Sequence, residues 1–211
     1  MIGIGIITDT AIYPKVYINH LVTIALWAQK HQIKVFHTER VKVAQARNQI
    51  TYKAIKDGCD YLMMLDTDHI LPPDALDLLM ENKDAAIVSG LICRRHFPYS
   101  PVMFKLSPSN ALQEAFVNPD GKVHEVDACA MGCTLINMDI LCTLPRPIWV
   151  DDYYRSDLML CEKVRHFTKA KILLDTRVII GHLGDVPVIM PNNADEFRLK
   201  WIKENETKDS I

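Results

Sequence analysis

The stretch YLMMLDTDHILPPDAL, residues 61–76, decides the fold class. It opens as an uninterrupted apolar run, the pattern of a strand buried on both faces in a parallel sheet covered by helices. Two aspartates, Asp66 and Asp68, stand where the run ends, and Pro72 and Pro73 then open a helical pattern, PDALDLLMEN at 73–82, since proline is tolerated in a first helical turn. Ligands of open α/β sheets bind beyond the carboxyl edge of the strands. In extended chain, residues i and i+2 point to the same side, so Asp66 and Asp68 can face one cation while Thr67 turns away. Hard Mg²⁺ or Mn²⁺ takes carboxylate oxygens and keeps positions open for substrate phosphate. An Asp-x-Asp triplet arises about once by chance in a chain this rich in aspartate, and two solvated aspartates, one capping the next helix, would give the same string. Its place at a strand end is what gives it weight.

Outward from this stretch the pattern repeats. IGIGIIT (2–8), YINHLVTIALWAQKH (17–31), IKVFH (33–37) and VAQARNQITYKAIKDG (43–58) alternate β-rich runs with helical periodicity, so that the first half reads βαβαβ. Gly58 fits the C′ position of the second helix. A further strand, AAIVSG (85–90), precedes a Pro-containing stretch from Leu91 to Lys122 without clear period, expected as loop and hairpin. VHEVDACA (123–130), a short helix near NMDILCTL (137–144), a helix over about 156–167 and two β-like runs, KILL and RVII, follow. The segment 194–211 reads as an amphipathic helix with a frayed polar tail. The expected organisation is a single α/β domain over 1–184 with a mostly parallel central sheet flanked by helices, then a C-terminal helix and tail over 185–211.

With 211 residues, 49% of them apolar, and a net charge of −2, the chain has the material for one good core. It has no global field for nucleic acid or an anionic membrane. No apolar run approaches the roughly 18 to 20 residues that span a bilayer, and no basic region precedes the apolar start; a soluble, cytoplasmic protein is expected. The six cysteines sit mostly inside apolar segments and read as buried thiols. Cys129 and Cys133 lack the second pair that a structural zinc site needs.

From about residue 2 to residue 184 the sequence resembles the family-2-like glycosyltransferases of the GT-A fold. Four strings carry the likeness: Ala-Arg-Asn at 46–48, YLMMLDTDHILPPDAL at 61–76, VDACAMGCTLINMDIL at 126–141, and SDLMLCEKVRHFTKAKILLDTRVIIGHLG at 156–184. The resemblance implies a divalent-metal-dependent transfer of a sugar from a nucleoside-diphosphate sugar, UDP- or GDP-linked, to an acceptor hydroxyl. The acceptor class, whether glycan, lipid-linked sugar, protein or nucleic acid, stays open. It makes Asp68 the principal metal ligand, Asp66 its partner toward metal and ribose, and His182 a third ligand, which tilts the metal toward Mn²⁺ over Mg²⁺ because imidazole suits the softer ion. His182 also reads as a strand-end histidine that merely packs.

The same resemblance places the general base of an inverting transfer at Asp157. The family shows Glu-Asp where this chain has Ser156-Asp157. Ser156 then reads as a cap and Asp157 as a favourable charge at the helix start; Asp151 and Asp152 are rival bases. For the nucleotide, the resemblance points to Thr8, Asp9 and Arg47. The aspartate that many relatives carry after the second strand is replaced by VFHTER (35–40), which leaves uridine and guanosine open. Arg94 and Arg95, whose guanidinium forks suit phosphate oxygens, together with Trp149 and Asp152, are candidates for the acceptor side. Two other functions fit parts of the pattern: a nucleotidyltransferase, against which the absence of a glycine-rich phosphate loop counts, and a non-catalytic sugar- or nucleotide-binding module of the same fold.

Overall fold

The computed structural model describes residues 1–8, 12–115, 119–151, 155–184 and 188–206. Its elements run β1 (Ile2–Thr8), α1 (Pro14–Trp27), β2 (Ile33–Glu39), α2 (Val43–Lys56), β3 (Tyr61–Asp66), β4 (His69–Ile70), α3 (Ala75–Met80), β5 (Ile87–Ile92), β6 (Met103–Leu106), β7 (Leu112–Glu114), β8 (Val123–Val126), β9 (Ala128–Cys129), β10 (Cys133–Asn137), α4 (Met138–Cys142), α5 (Ser156–Phe167), β11 (Ile172–Leu183), β12 (Val188–Ile189) and α6 (Ala194–Glu206).

The main sheet has the order β12-β11-β5-β10-β3-β1-β2, with β4 and β8 also paired to β11. Strands β2, β1 and β3 are mutually parallel, as are β5 and β11. Strand β10 lies antiparallel between β3 and β5 and joins the two parallel groups. A separate sheet, β7-β6-β9, takes β6 and β7 from the stretch expected as loop and hairpin and β9 from the run VHEVDACA.

Alternation along the buried strands divides the core into two layers. Met63 and Leu65 pack with Ile2, Ile4, Trp27, Leu76 and Leu79 on the face that carries α1 and α3. Leu62 and Met64 pack with Ile50, Ala54, Trp149 and Leu160 on the opposite face, beneath α2 and α5. Gly58, with φ of +68°, closes α2 in the left-handed conformation that glycine adopts without strain.

KILL and RVII are one strand rather than two. The register of β11 on β5 shifts between Asp175 and Ile179, so the strand crosses the polar step Asp175-Thr176-Arg177 through an irregularity. Asp175, fully buried, takes the Arg177 guanidinium in a fork with contacts of 3.0 and 2.7 Å. No helix among the described residues is long and apolar enough to cross a membrane.

Candidate functional site

Strand β3 delivers Asp66 to the carboxyl edge of the sheet, where its backbone N–H donates to the Gly132 carbonyl at 3.0 Å. The chain then turns through Thr67 and Asp68 into β4, which pairs antiparallel with β11 so that His69 stands directly opposite His182. The Leu183 N–H donates to the Asp68 carbonyl at 2.8 Å. From the other side α1 fixes the same segment. His20 donates from Nε2 to the His69 carbonyl at 3.1 Å, and the Asn19 side chain both donates to and accepts from the Leu71 backbone.

These constraints assemble Asp68, His69 and His182, whose ligand atoms all lie within 4.8 Å of one another. His69 Nδ1 is 3.7 Å from Asp68 Oδ1 and 4.0 Å from Asp66 Oδ2. The two imidazole rings stand 4.4 Å apart. His182 donates from Nδ1 to the Cys93 carbonyl at 2.7 Å, and its Nε2 faces Asp68 Oδ2 at 3.2 Å. His69 is buried, and neither of its ring nitrogens has a hydrogen-bond partner among the described residues.

Burial alone would raise the Asp68 carboxyl, but its hydrogen bond with His182 and the basic groups around it, His69, His182 and Arg95, outweigh this and hold the group down at about 2. Burial lowers His69, so its ring is held neutral, the form in which imidazole binds a metal. A carboxylate, two imidazoles and the orphaned buried nitrogens of His69 fit a divalent cation.

A cavity of about 890 Å³ opens beside this cluster, lined by Asp66, Asp68, Arg47, Arg95, Asp151, Arg155, Ser156 and Asp157 among others. Asp66 lies at its wall, outside the close triad, with Arg47 3.8 Å from its carboxylate. Asp157 enters from the first turn of α5, and its Oδ1 is buried without a hydrogen-bond partner among the described residues. Arg95 reaches in from the segment after β5 and donates to Asp68 Oδ2 at 3.0 Å.

Other candidates are placed differently. Arg47 is packed within the fold. It is buried, donates from Nη1 to Ser156 Oγ at 2.8 Å and lies over the Trp149 ring at 5.1 Å, while its Nε has no hydrogen-bond partner among the described residues. Trp149 is no sugar platform. It is 1% exposed, its indole N–H donates to Thr51 Oγ1 at 2.9 Å and its backbone is held by Asn48, so the ring offers no free face to an acceptor. Arg94 turns away from the cavity to pair with Glu114. Thr8 meets His37 Nε2 at 3.1 Å, and its side chain lines a second cavity on the α1 face of the sheet. Asp9 and Asp152 lie outside the described residues. His69 and Gly132 escaped the sequence reading. The signal for His69 was its position directly after Asp68, masked by its resemblance to a helix lead-in; Gly132 carried none, because the need for a bare Cα arises only when His69 folds onto it.

No protein-family model matches the sequence, and no curated protein matches it. Among solved structures the chain is similar to A197 from STIV, with a TM-score of 0.66 and 17% identity over 91% of each chain. It is also similar to GalNAc-T7 solved with UDP, GalNAc and Mn²⁺, with a TM-score of 0.56 and 13% identity over 86% of this chain and 43% of that one. At such identities the likeness defines the fold alone: a mixed α/β chain with a large central sheet flanked by helices, of the GT-A type.

Proposed function

We propose that this chain is a metal-dependent glycosyltransferase that moves a sugar from a UDP- or GDP-linked donor to an acceptor hydroxyl with inversion at the anomeric carbon. The observation that carries this reading is that Asp68, clustered with His69 and His182, and Asp157, whose buried Oδ1 has no hydrogen-bond partner among the described residues, line one cavity at the carboxyl edge of the sheet. Asp68, His69 and His182 would hold the cation, with Asp66 beside them toward the ribose. A divalent ion there supplies positive charge to the donor diphosphate as it departs. Arg95, already at the Asp68 carboxylate, adds a guanidinium for phosphate oxygens.

Asp157 takes the proton from the acceptor hydroxyl as that oxygen attacks the anomeric carbon. The new carbon–oxygen bond forms on the face opposite the leaving diphosphate, whose bond to carbon breaks. Ser156, standing where relatives carry a glutamate, receives Arg47, and that pair ties the helix bearing Asp157 to the helix beside Asp66. Arg47 is thereby a positioning residue in this reaction.

The test is calorimetric titration of UDP and of GDP with and without Mn²⁺, repeated on Asp68→Ala. Metal-dependent binding of one nucleotide, lost in the variant, is the expected result and names the base. Absence of binding by both nucleotides under every condition would overturn the reading in favour of a nucleotidyltransferase or a non-catalytic module.

A further inference from the structure

Helix α1 is inside out. A surface helix ordinarily turns its apolar stripe to the core and its polar side to water. Here the inward positions include His20 and Thr23 beside Val16 and Trp27, and the contacts that hold the helix are largely polar: His20 to the His69 carbonyl, Asn19 to Leu71 and Trp27 Nε1 to the Pro73 carbonyl at 2.8 Å. The outward side carries Tyr13, Tyr17, Ile18, Leu21, Val22 and Leu26, from 41% to 56% exposed. Between Lys15 and Lys30 the sequence has no Asp, Glu, Lys or Arg. Val35, 49% exposed on the edge strand β2, continues the same surface.

We infer that this face is a homodimer interface, in which α1 of one copy packs on α1 of a second about a two-fold axis. Ile18, Val22 and Leu26 form one i, i+4 ridge along the helix. Beside it lies an apolar cavity of about 440 Å³ walled by Ile6, Leu21, Ile24, Ala28 and Val35, large enough to receive aliphatic side chains. One surface thus presents both a ridge and the hollow for a ridge, which is what an isologous two-fold contact requires, since each copy must offer the other the same patch.

The half-exposed side chains amount to on the order of 600 Å² of apolar surface per copy. That reaches the upper end of what a monomer leaves to water and approaches the roughly 800 Å² per partner of a standard interface. Thr8 and His37 supply a polar rim. A bilayer surface fits less well, because an interfacial helix needs a cationic polar side at the headgroups, and the polar side of α1 is spent on contacts within the chain. The second copy sits across the sheet from the catalytic cavity, which uses Ile7 on the other side of β1 from Ile6, and meets the rim of that cavity only at Tyr13. It also braces the helix that fixes the backbone of His69.

Sedimentation equilibrium from about 1 to 100 μM tests the inference. The native chain is expected to approach twice its 24.1 kDa mass, and Val22→Glu and Ile18→Lys, both on exposed positions, to shift the dissociation constant at least 100-fold while far-UV circular dichroism is unchanged. A native chain that stays monomeric over this range overturns the inference, as does a dimer that survives both substitutions. Sedimentation of monomer with vesicles of mixed neutral and anionic phospholipid would overturn it in favour of a membrane surface.

Discussion

A methyl group on Gly132 would stand 2.2 Å from Cε1 and 2.3 Å from Nδ1 of His69, and 2.9 Å from an Asp66 oxygen. The glycine is there for room. His69 is wedged between this backbone and His182, so Gly132→Ala has to push the ring out of its position. Mn²⁺ affinity is expected to fall at least tenfold, about 1.4 kcal/mol, with secondary structure intact, as read by metal titration and circular dichroism; unchanged affinity would remove His69 from the ligand set. Arg47 gives a second prediction at this scale. Lysine keeps its charge but neither the planar fork that meets Ser156 nor the stacking over Trp149. Arg47→Lys is expected to lower unfolding free energy by about 2 kcal/mol in urea titrations. Had Arg47 been solvated, the change would be close to neutral. The aspartate pair was legible because a strand end and an acidic pair are local signals, whereas His182 entered only through the family resemblance. The sequence reading misjudged Trp149, since an aromatic beside two prolines reads alike whether it faces a groove or a core.

Elements pack as closely as their smallest residues allow. Gly3 and Gly5 interrupt β1 on the face that receives α2, and a Cβ at Gly5 would lie 2.7 Å from Ile50 Cγ2 and 2.9 Å from Met64 Sδ. Ile50 is itself fully buried and has no space to retreat, so Gly5→Ala is expected to cost about 1 to 3 kcal/mol, measurable as a lowered urea midpoint with unchanged m-value. This approach brings α2, and with it Arg47, against the sheet edge. The βαβαβ order of the first half was legible because each element announces itself by its own periodicity. The antiparallel insertion of β10 between β3 and β5 was not, because CTLIN (133–137) has the same apolar character whichever neighbour and direction it takes. The split reading of β11 has a similar cause. Its interruption at Asp175 and Thr176 mimics a turn locally, and only partners inside the fold, Arg177 for Asp175 and Asp120 with the Lys122 backbone for Thr176, make those polar groups tolerable within a strand.

At the scale of the whole molecule, α1 is joined to the metal-bearing segment through imidazoles that must stay neutral, and this couples folding to pH. Burial depresses His20 from its ordinary 6.5 to about 4, outweighing the hydrogen bond to the His69 carbonyl that favours the charged form. Burial shifts His69 in the same direction. Between pH 6.5 and 4 the unfolded chain therefore binds protons that the folded chain refuses, and since stability rises with pH wherever the unfolded state binds more protons, the metal-free protein must lose stability as pH falls through that window. For His20 alone the loss amounts to as much as about 3 kcal/mol. It is complete near pH 4 and absent above about 7. Urea titrations of chelator-treated protein from pH 7 to 4 measure it, and His20→Gln, which keeps a donor for the His69 carbonyl but cannot titrate, is expected to flatten this part of the slope. A variant as steep as the native chain would mean that His20 reaches water more readily than its 3% exposure implies. Mn²⁺ at about 100 times its dissociation constant is expected to add about 2.7 kcal/mol at pH 7. It should add progressively less toward pH 4, because protons compete for the imidazoles that hold it.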